Sequence, residues 1–156
     1  MNTNKALDST DLAILRIIQI DNRKTIKDIA AELNLSTTPI FERLKKLEKA
    51  GYVKKNVAIL DANKLNLKLT AFIRISVSDH KKEAIELFVN QVVGFPEVLE
   101  CHHTSGDADF LVKVVLKNIE EYNTFLLNKM AAVSNIAKIE SSFVLSTGKD
   151  TVALPI

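Results

Sequence analysis

Cys101, His102 and His103 stand in a row, the densest group of soft ligands and nucleophiles in a chain with only one cysteine and three histidines. Catalysis or metal binding would need these side chains to converge. In a strand successive side chains point to opposite faces, so His102 and His103 cannot readily share a metal, and Cys101 reads as a small core residue beside Leu99. The chain has no HExxH pair and no phosphate-cradling glycine loop, and no base is placed to activate a nucleophile. The expectation is a protein without enzymatic activity, catalytic residue, metal or cofactor.

A second chemistry comes from residues 36–50. Ile40, Phe41, Leu44 and Leu47 fall on one side of a helix at 100° per residue, while Thr38, Glu42, Lys45, Lys46 and Lys49 fall opposite, with Arg43 on the flank. Short donors and Arg near the helix start suit base edges, and Lys suits phosphates. An ordinary solvated helix has the same pattern. The net charge of +2 is unevenly spread: residues 1–55 carry 11 Lys and Arg against 7 Asp and Glu, and the rest carry 10 against 12. The basic surplus therefore lies in the part of the chain that holds this helix.

Local punctuation supplies the elements that position it. Asp8 with Asp11 at N3, and Leu7 with Leu12, mark a first helix running to about Ile20. Thr25 with Asp28 opens a second, whose stripe is Ile26, Ile29, Ala30 and Leu33. Asn34 is suited to end it in a left-handed turn, and Ser36 caps the third, with Pro39 tolerated in its first turn. The result is a tight helix–turn–helix over residues 1–51, closed by Gly51. Residues 52–61 read as an extended hinge strand, because Tyr52 to Leu60 contains Tyr, two Val and Ile and lacks a Pro or Ser run.

From residue 62 to 156 the periods alternate. Strands are expected at 70–77, 97–104, 109–117 and 136–145, with helices at 81–93 and 119–132, the βαββαβ order of a ferredoxin-like α+β domain. Ala71, Ile73, Ile75 and Val77 share the face toward the helices. Thr70, Phe72, Arg74 and Ser76 share the other, with Lys113, Val115, Lys138 and Glu140; such a face suits either solvent or a sheet-to-sheet homodimer. At 156 residues, 47% hydrophobic and 26% charged, the chain can form a core, and disordered or collagen-like classes are excluded. The apolar run Leu12–Ile20 is too short and too interrupted to cross a bilayer, and one cysteine forms no internal disulfide, so a soluble, cytoplasmic protein without a membrane role is expected.

Three segments carry a resemblance: Leu7-Asp8-x-x-Asp11-x-x-Ile14-Leu15, Leu35-Ser36-x-Thr38-Pro39-x-x-Glu42-Arg43-Leu44-x-x-Leu47-Glu48-x-x-Gly51, and Glu100-Cys101-His102-x-x-Ser105-Gly106-Asp107-x-Asp109-Phe110-Leu111. Together they closely resemble the Lrp/AsnC (leucine-responsive/asparagine-regulator) family of transcription regulators. The resemblance implies a sequence-specific DNA-binding regulator, with dimers assembling to octamers and an amino-acid effector in the C-terminal domain. Carried over by position, Ser36, Thr37, Thr38, Glu42, Arg43, Lys45 and Lys46 are the DNA-contact candidates. Glu42 either orients Arg43 or accepts from a cytosine amino group. Thr104, Ser105, Gly106, Asp107 and Asp109 are the effector candidates. Backbone N–H groups in a glycine turn can meet a carboxylate, and Asp109 can receive an α-ammonium. A plain hairpin turn and a ligand-independent DNA-packing protein are the competing readings.

Overall fold

The computed structural model describes residues 6–156, so residues 1–5 of the expected first domain lie outside the described residues. It resolves into two compact units, one of residues up to Ile59 together with Lys149–Ile156, the other Leu60–Gly148.

In the first unit α1 (Ser9–Ile20), α2 (Ile26–Glu32) and α3 (Thr37–Lys49) follow the expected punctuation. Asp8 and Asp11 form a capping box on α1, and Thr25 and Asp28 form another on α2. Each box satisfies N–H groups that the first helical turn leaves without partners. Asn34 turns left-handed at φ 53° and Gly51 at φ 80°, which ends α2 and α3 where a short polar residue and a glycine were available. Ile14, Leu15, Ile17, Ile29, Ala30, Ile40 and Leu47 make the core. Two expectations fail here. Phe41, assigned to the inward side, is 49% exposed, because the three-helix core is filled by Ile40 and Leu47 on either side of it. Ser36 occupies the N-cap position of α3, yet its side chain makes no cap hydrogen bond.

The hinge strand expected over 52–61 does not form: residues 53–61 have no regular secondary structure. A strand exists only through ladder bonds, and among the described residues no ladder includes this segment. Val57, Ile59 and Leu60 are exposed along it. The last eight residues, read as the end of the second domain, group instead with the first unit. Gln19 holds Leu154 by both backbone groups, donating from Nε2 to its carbonyl at 3.0 Å and accepting its N–H at 2.9 Å, and Arg16 Nε donates to the Ile156 carbonyl at 2.5 Å.

The second unit has β1 (Leu69–Val77), α4 (Lys82–Val93), β2 (Val98–His103), β3 (Phe110–Leu116), α5 (Ile119–Asn128), a 3-10 turn (Met130–Ala132) and β4 (Ile136–Phe143). The order in the sheet is β2-β3-β1-β4 with every neighbour antiparallel, as the βαββαβ pattern requires. Ala71, Ile73, Ile75 and Val77 on β1 and Phe110, Val112, Val114 and Leu116 on β3 pack under Phe88 and Val92 of α4 and Tyr122 and Phe125 of α5. Burying each of the larger of these side chains contributes about 1.5–3 kcal/mol. The other face carries Phe72 beside Lys113 and Arg74 beside Glu140, the last two 3.5 Å apart. On β2 the register shifts between Val98 and Glu100, which turns Leu99 outward at 60% exposure while Cys101 stays half-buried on the core. The extra residue of a bulge, invisible to strict alternation, separates the Leu99–Cys101 pairing expected above.

Candidate functional site

Side chains of opposite character leave α3 on opposite sides. Ile40 and Leu47 anchor it, while Thr37, Thr38, Glu42, Lys45 and Lys46 are exposed, so five of the seven expected DNA-contact residues present themselves together with the uncapped Ser36. Lys45 Nζ lies 5.9 Å from the centre of the exposed Phe41 ring, which supports its cation above an apolar surface. Lys46 and Lys49 occupy the last turn, where the helix dipole also favours cations.

Arg43 departs from that group. Its Nη1 donates to Asp8 Oδ2 and to Asp11 Oδ1, both at 2.6 Å, and its side chain is 35% exposed. The two acceptors belong to the capping box of α1, not to Glu42, so of the two roles left open for Glu42 the orienting of Arg43 is not the one the structure makes. The Asp8 carboxyl is held below its ordinary range, first by the Asp11 N–H and then by Arg43. Arg43 itself is held more firmly charged by Asp8 and then Asp11.

Between β2 and β3 the loop is closed by two bonds: the Thr104 N–H donates to the Asp109 carbonyl and the Thr104 hydroxyl to the Ala108 carbonyl, each at 2.8 Å. Gly106 has φ 129°, a conformation that side chains rarely adopt, and Ser105, Gly106 and Asp107 are exposed at the tip. Asp109 turns the other way. Its Oδ2 accepts the Val77 N–H at 2.8 Å and its Oδ1 meets His80 Nε2 at 2.9 Å, which lowers its pKa, Val77 contributing most and His80 next. The carboxylate expected to receive an α-ammonium is thus engaged by its own domain, leaving Asp107 as the loop carboxylate open to solvent.

His102 and His103 do point to opposite faces. His102 Nε2 lies 3.2 Å from Glu100, which also accepts from Lys113 at 3.0 Å, whereas His103 stacks on Phe110. Burial raises the pKa of the Cys101 thiol. Reasoning from sequence missed Arg43's partners and His80: the former are 35 and 32 residues away, and the latter belongs to no motif. No helix among the described residues is long and apolar enough to cross a membrane.

A three-helix unit with a basic, hydroxyl-bearing third helix, joined to a four-stranded α+β unit with an exposed glycine loop, defines a DNA-binding transcription regulator that carries a ligand-binding domain. Residues 7–54 match the family model of winged helix-turn-helix DNA-binding domains, and residues 70–154 match that of the Lrp/AsnC ligand binding domain. The chain belongs to the Lrp/AsnC family. It is 35% identical to the transcriptional regulator AzlB of Bacillus subtilis, over 96% of each chain, and 35% identical to the DNA-binding transcriptional activator DecR of Escherichia coli, over 96% of this chain and 99% of that one. Among solved structures, a transcriptional regulator from Neisseria meningitidis in complex with L-Met superposes with a TM-score of 0.92 at 36% identity, covering 96% of this chain and 97% of that one. These relatives are regulators, not enzymes.

Proposed function

We propose that the protein binds specific operator DNA through α3 as a homodimer, and that an amino-acid effector held at the loop 104–109 changes its assembly and its operator binding. The observation that carries this reading is the outward side of α3, where Thr37, Thr38, Lys45 and Lys46 are exposed over the buried Ile40 and Leu47. In this division of labour residues 1–51 bind DNA, residues 52–61 are the hinge, and residues 62–156 take the effector and assemble, with the last eight residues seated on α1. The exposed Ser105, Gly106 and Asp107 suit the two charged ends of an amino acid: loop N–H groups for its carboxylate, and Asp107 for its ammonium. The Neisseria relative's complex with L-Met supports that ligand class.

The second sheet face supports a sheet-to-sheet dimer. Phe72 and Val115 are only partly buried on it, and the Arg74–Glu140 pair beside them can be matched by a second copy. Dimers joined further into octamers would place effector loops between dimers, so a ligand there biases assembly. A dimer binds a pseudo-palindrome with half-sites about 34 Å, or a multiple of that, apart. Selection of duplexes from a randomised pool, with and without each of the twenty amino acids, tests the whole reading. Enrichment of one palindromic sequence, altered by one class of amino acid, is the expected result. Indifferent coating of every duplex would instead establish an architectural DNA-packing protein.

A further inference from the structure

Asp8, Asp11 and Arg43 form a closed ring of hydrogen bonds in which every carboxylate oxygen accepts from a donor. Asp8 Oδ1 accepts the Asp11 N–H at 2.8 Å, and Asp11 Oδ2 accepts the Asp8 N–H at 3.3 Å, which is the capping box. The two remaining oxygens, Asp8 Oδ2 and Asp11 Oδ1, both accept from Arg43 Nη1 at 2.6 Å. The cap that starts α1 is therefore also the socket that receives α3. Asp11 is the better shielded acid, its side chain 17% exposed against 51% for Asp8, so the bond to Asp11 is the more sheltered from solvent.

Electrostatics argue against this guanidinium as a DNA ligand. Two carboxylates and one guanidinium leave the ring with a net negative charge, so it offers phosphate no attraction. To reach a base edge, Arg43 would have to abandon two charge-assisted bonds and leave two carboxylates facing a polyanion. The geometry serves a different end. A residue on the flank of α3, clamped to the first turn of α1, fixes the rotation and tilt at which Thr37, Thr38 and Lys46 leave the unit, and misplacing such groups by even about 1 Å is costly.

We propose that Arg43 is a positioning residue for DNA recognition, locking the recognition helix to the capping box of α1 through Asp11 and Asp8 and touching no DNA itself. The proposal rests on the reading of α3 as the DNA-contacting helix. The two assignments of Arg43 predict opposite signs. Removing an acid beside a DNA-contacting arginine frees that arginine and reduces repulsion, so binding tightens. Removing an acid that positions the helix costs specificity in spite of the reduced repulsion.

The test uses the full chain with two probes, a duplex enriched by the wild-type protein from a randomised pool and a mixed-sequence duplex, titrated at several salt concentrations. Asp11→Asn and Arg43→Ala are each expected to lower the preference for the enriched duplex about tenfold, the size that a coupling of about 1.4 kcal/mol produces. The double variant is expected to lose no more than Arg43→Ala alone. On the mixed duplex Arg43→Ala keeps the wild-type salt slope, whereas Lys46→Ala lowers it by about one. Tighter binding by Asp11→Asn, or a salt slope reduced by Arg43→Ala, overturns the proposal in favour of direct contact. A lowered melting temperature with unchanged preference also overturns it, by reducing the ring to a support of the fold. Should circular dichroism show Arg43→Ala unfolded, Asp11→Asn carries the test, because it keeps the arginine and exchanges one oxygen for an amide. Failure of the wild type to enrich any duplex refutes the DNA reading itself, a result distinct from every outcome above.

Discussion

Asp109 Oδ2 accepts the backbone N–H of Val77 across 2.8 Å and so ties the loop between β2 and β3 to the end of β1. The bond gives a part-buried donor a charged acceptor, and its partner oxygen is taken by His80. In the proposed function the exposed tip of the loop meets the effector, on a base held in this way.

Asp107 and Asp109 should therefore separate in their effects. Asp107→Asn is expected to abolish the amino-acid response while the fold and basal DNA binding persist. Asp109→Asn keeps an acceptor for Val77 and is expected to retain effector affinity, whereas Asp109→Ala removes that acceptor and should weaken binding through a loosened loop. Calorimetry with the amino acid that shifts thermal stability checks all three, and undiminished affinity in Asp107→Asn would refute its role.

The capping box of α1 should respond to acid. Because the Asp8 carboxyl is held below its ordinary value by the Asp11 N–H and Arg43, its stabilising contribution is fully present above the unfolded value of about 3.9 and is lost as pH falls through the lower folded value. Thermal unfolding followed from pH 7 to pH 2 is expected to show a smaller acid-induced loss in Asp8→Asn than in the wild type. Equal losses in both proteins would remove Asp8 from the acid response.

Phe125 sits at 2% exposure in the second core and meets Phe95 edge-on, with ring centres 5.8 Å apart. Phe125→Ala is expected to cost about 3–5 kcal/mol, the transfer term and the cavity acting together. Chemical denaturation should show that loss in the 60–148 unit.

Asn135 turns left-handed at φ 70° and exchanges two 2.7 Å bonds with the Asp79 backbone, accepting its N–H and donating to its carbonyl. Asn135→Gly removes the bonds but tolerates the backbone, while Asn135→Ala loses both advantages. The alanine variant is expected to be about 1–2 kcal/mol less stable than the glycine variant. Equal stabilities in urea titrations would show that the left-handed backbone costs nothing there.

Much of this molecule is written within a few residues of itself. The boxes Asp8–Asp11 and Thr25–Asp28, the left-handed Asn34, the stop at Gly51 and the alternation along Ala71–Val77 are local relationships, decided by backbone hydrogen bonding and by the 3.6- and 2-residue periods, and each was legible from the sequence. The same periods supplied the βαββαβ order, from which the sheet order follows, and they marked the outward side of α3. Tertiary structure decided which partners those side chains find. Arg43 meets Asp8 and Asp11 at separations of 35 and 32 residues, and Asp109 meets Val77 at 32, distances over which periodicity carries no information. Packing also decided the bulge that turns Leu99 outward, the exposure of Phe41 and the seating of Leu154 on Gln19. The reason is physical: a cap or a stripe depends on chain geometry alone, whereas the choice between solvent, DNA and another side chain depends on which surfaces the folded elements bring within about 3 Å.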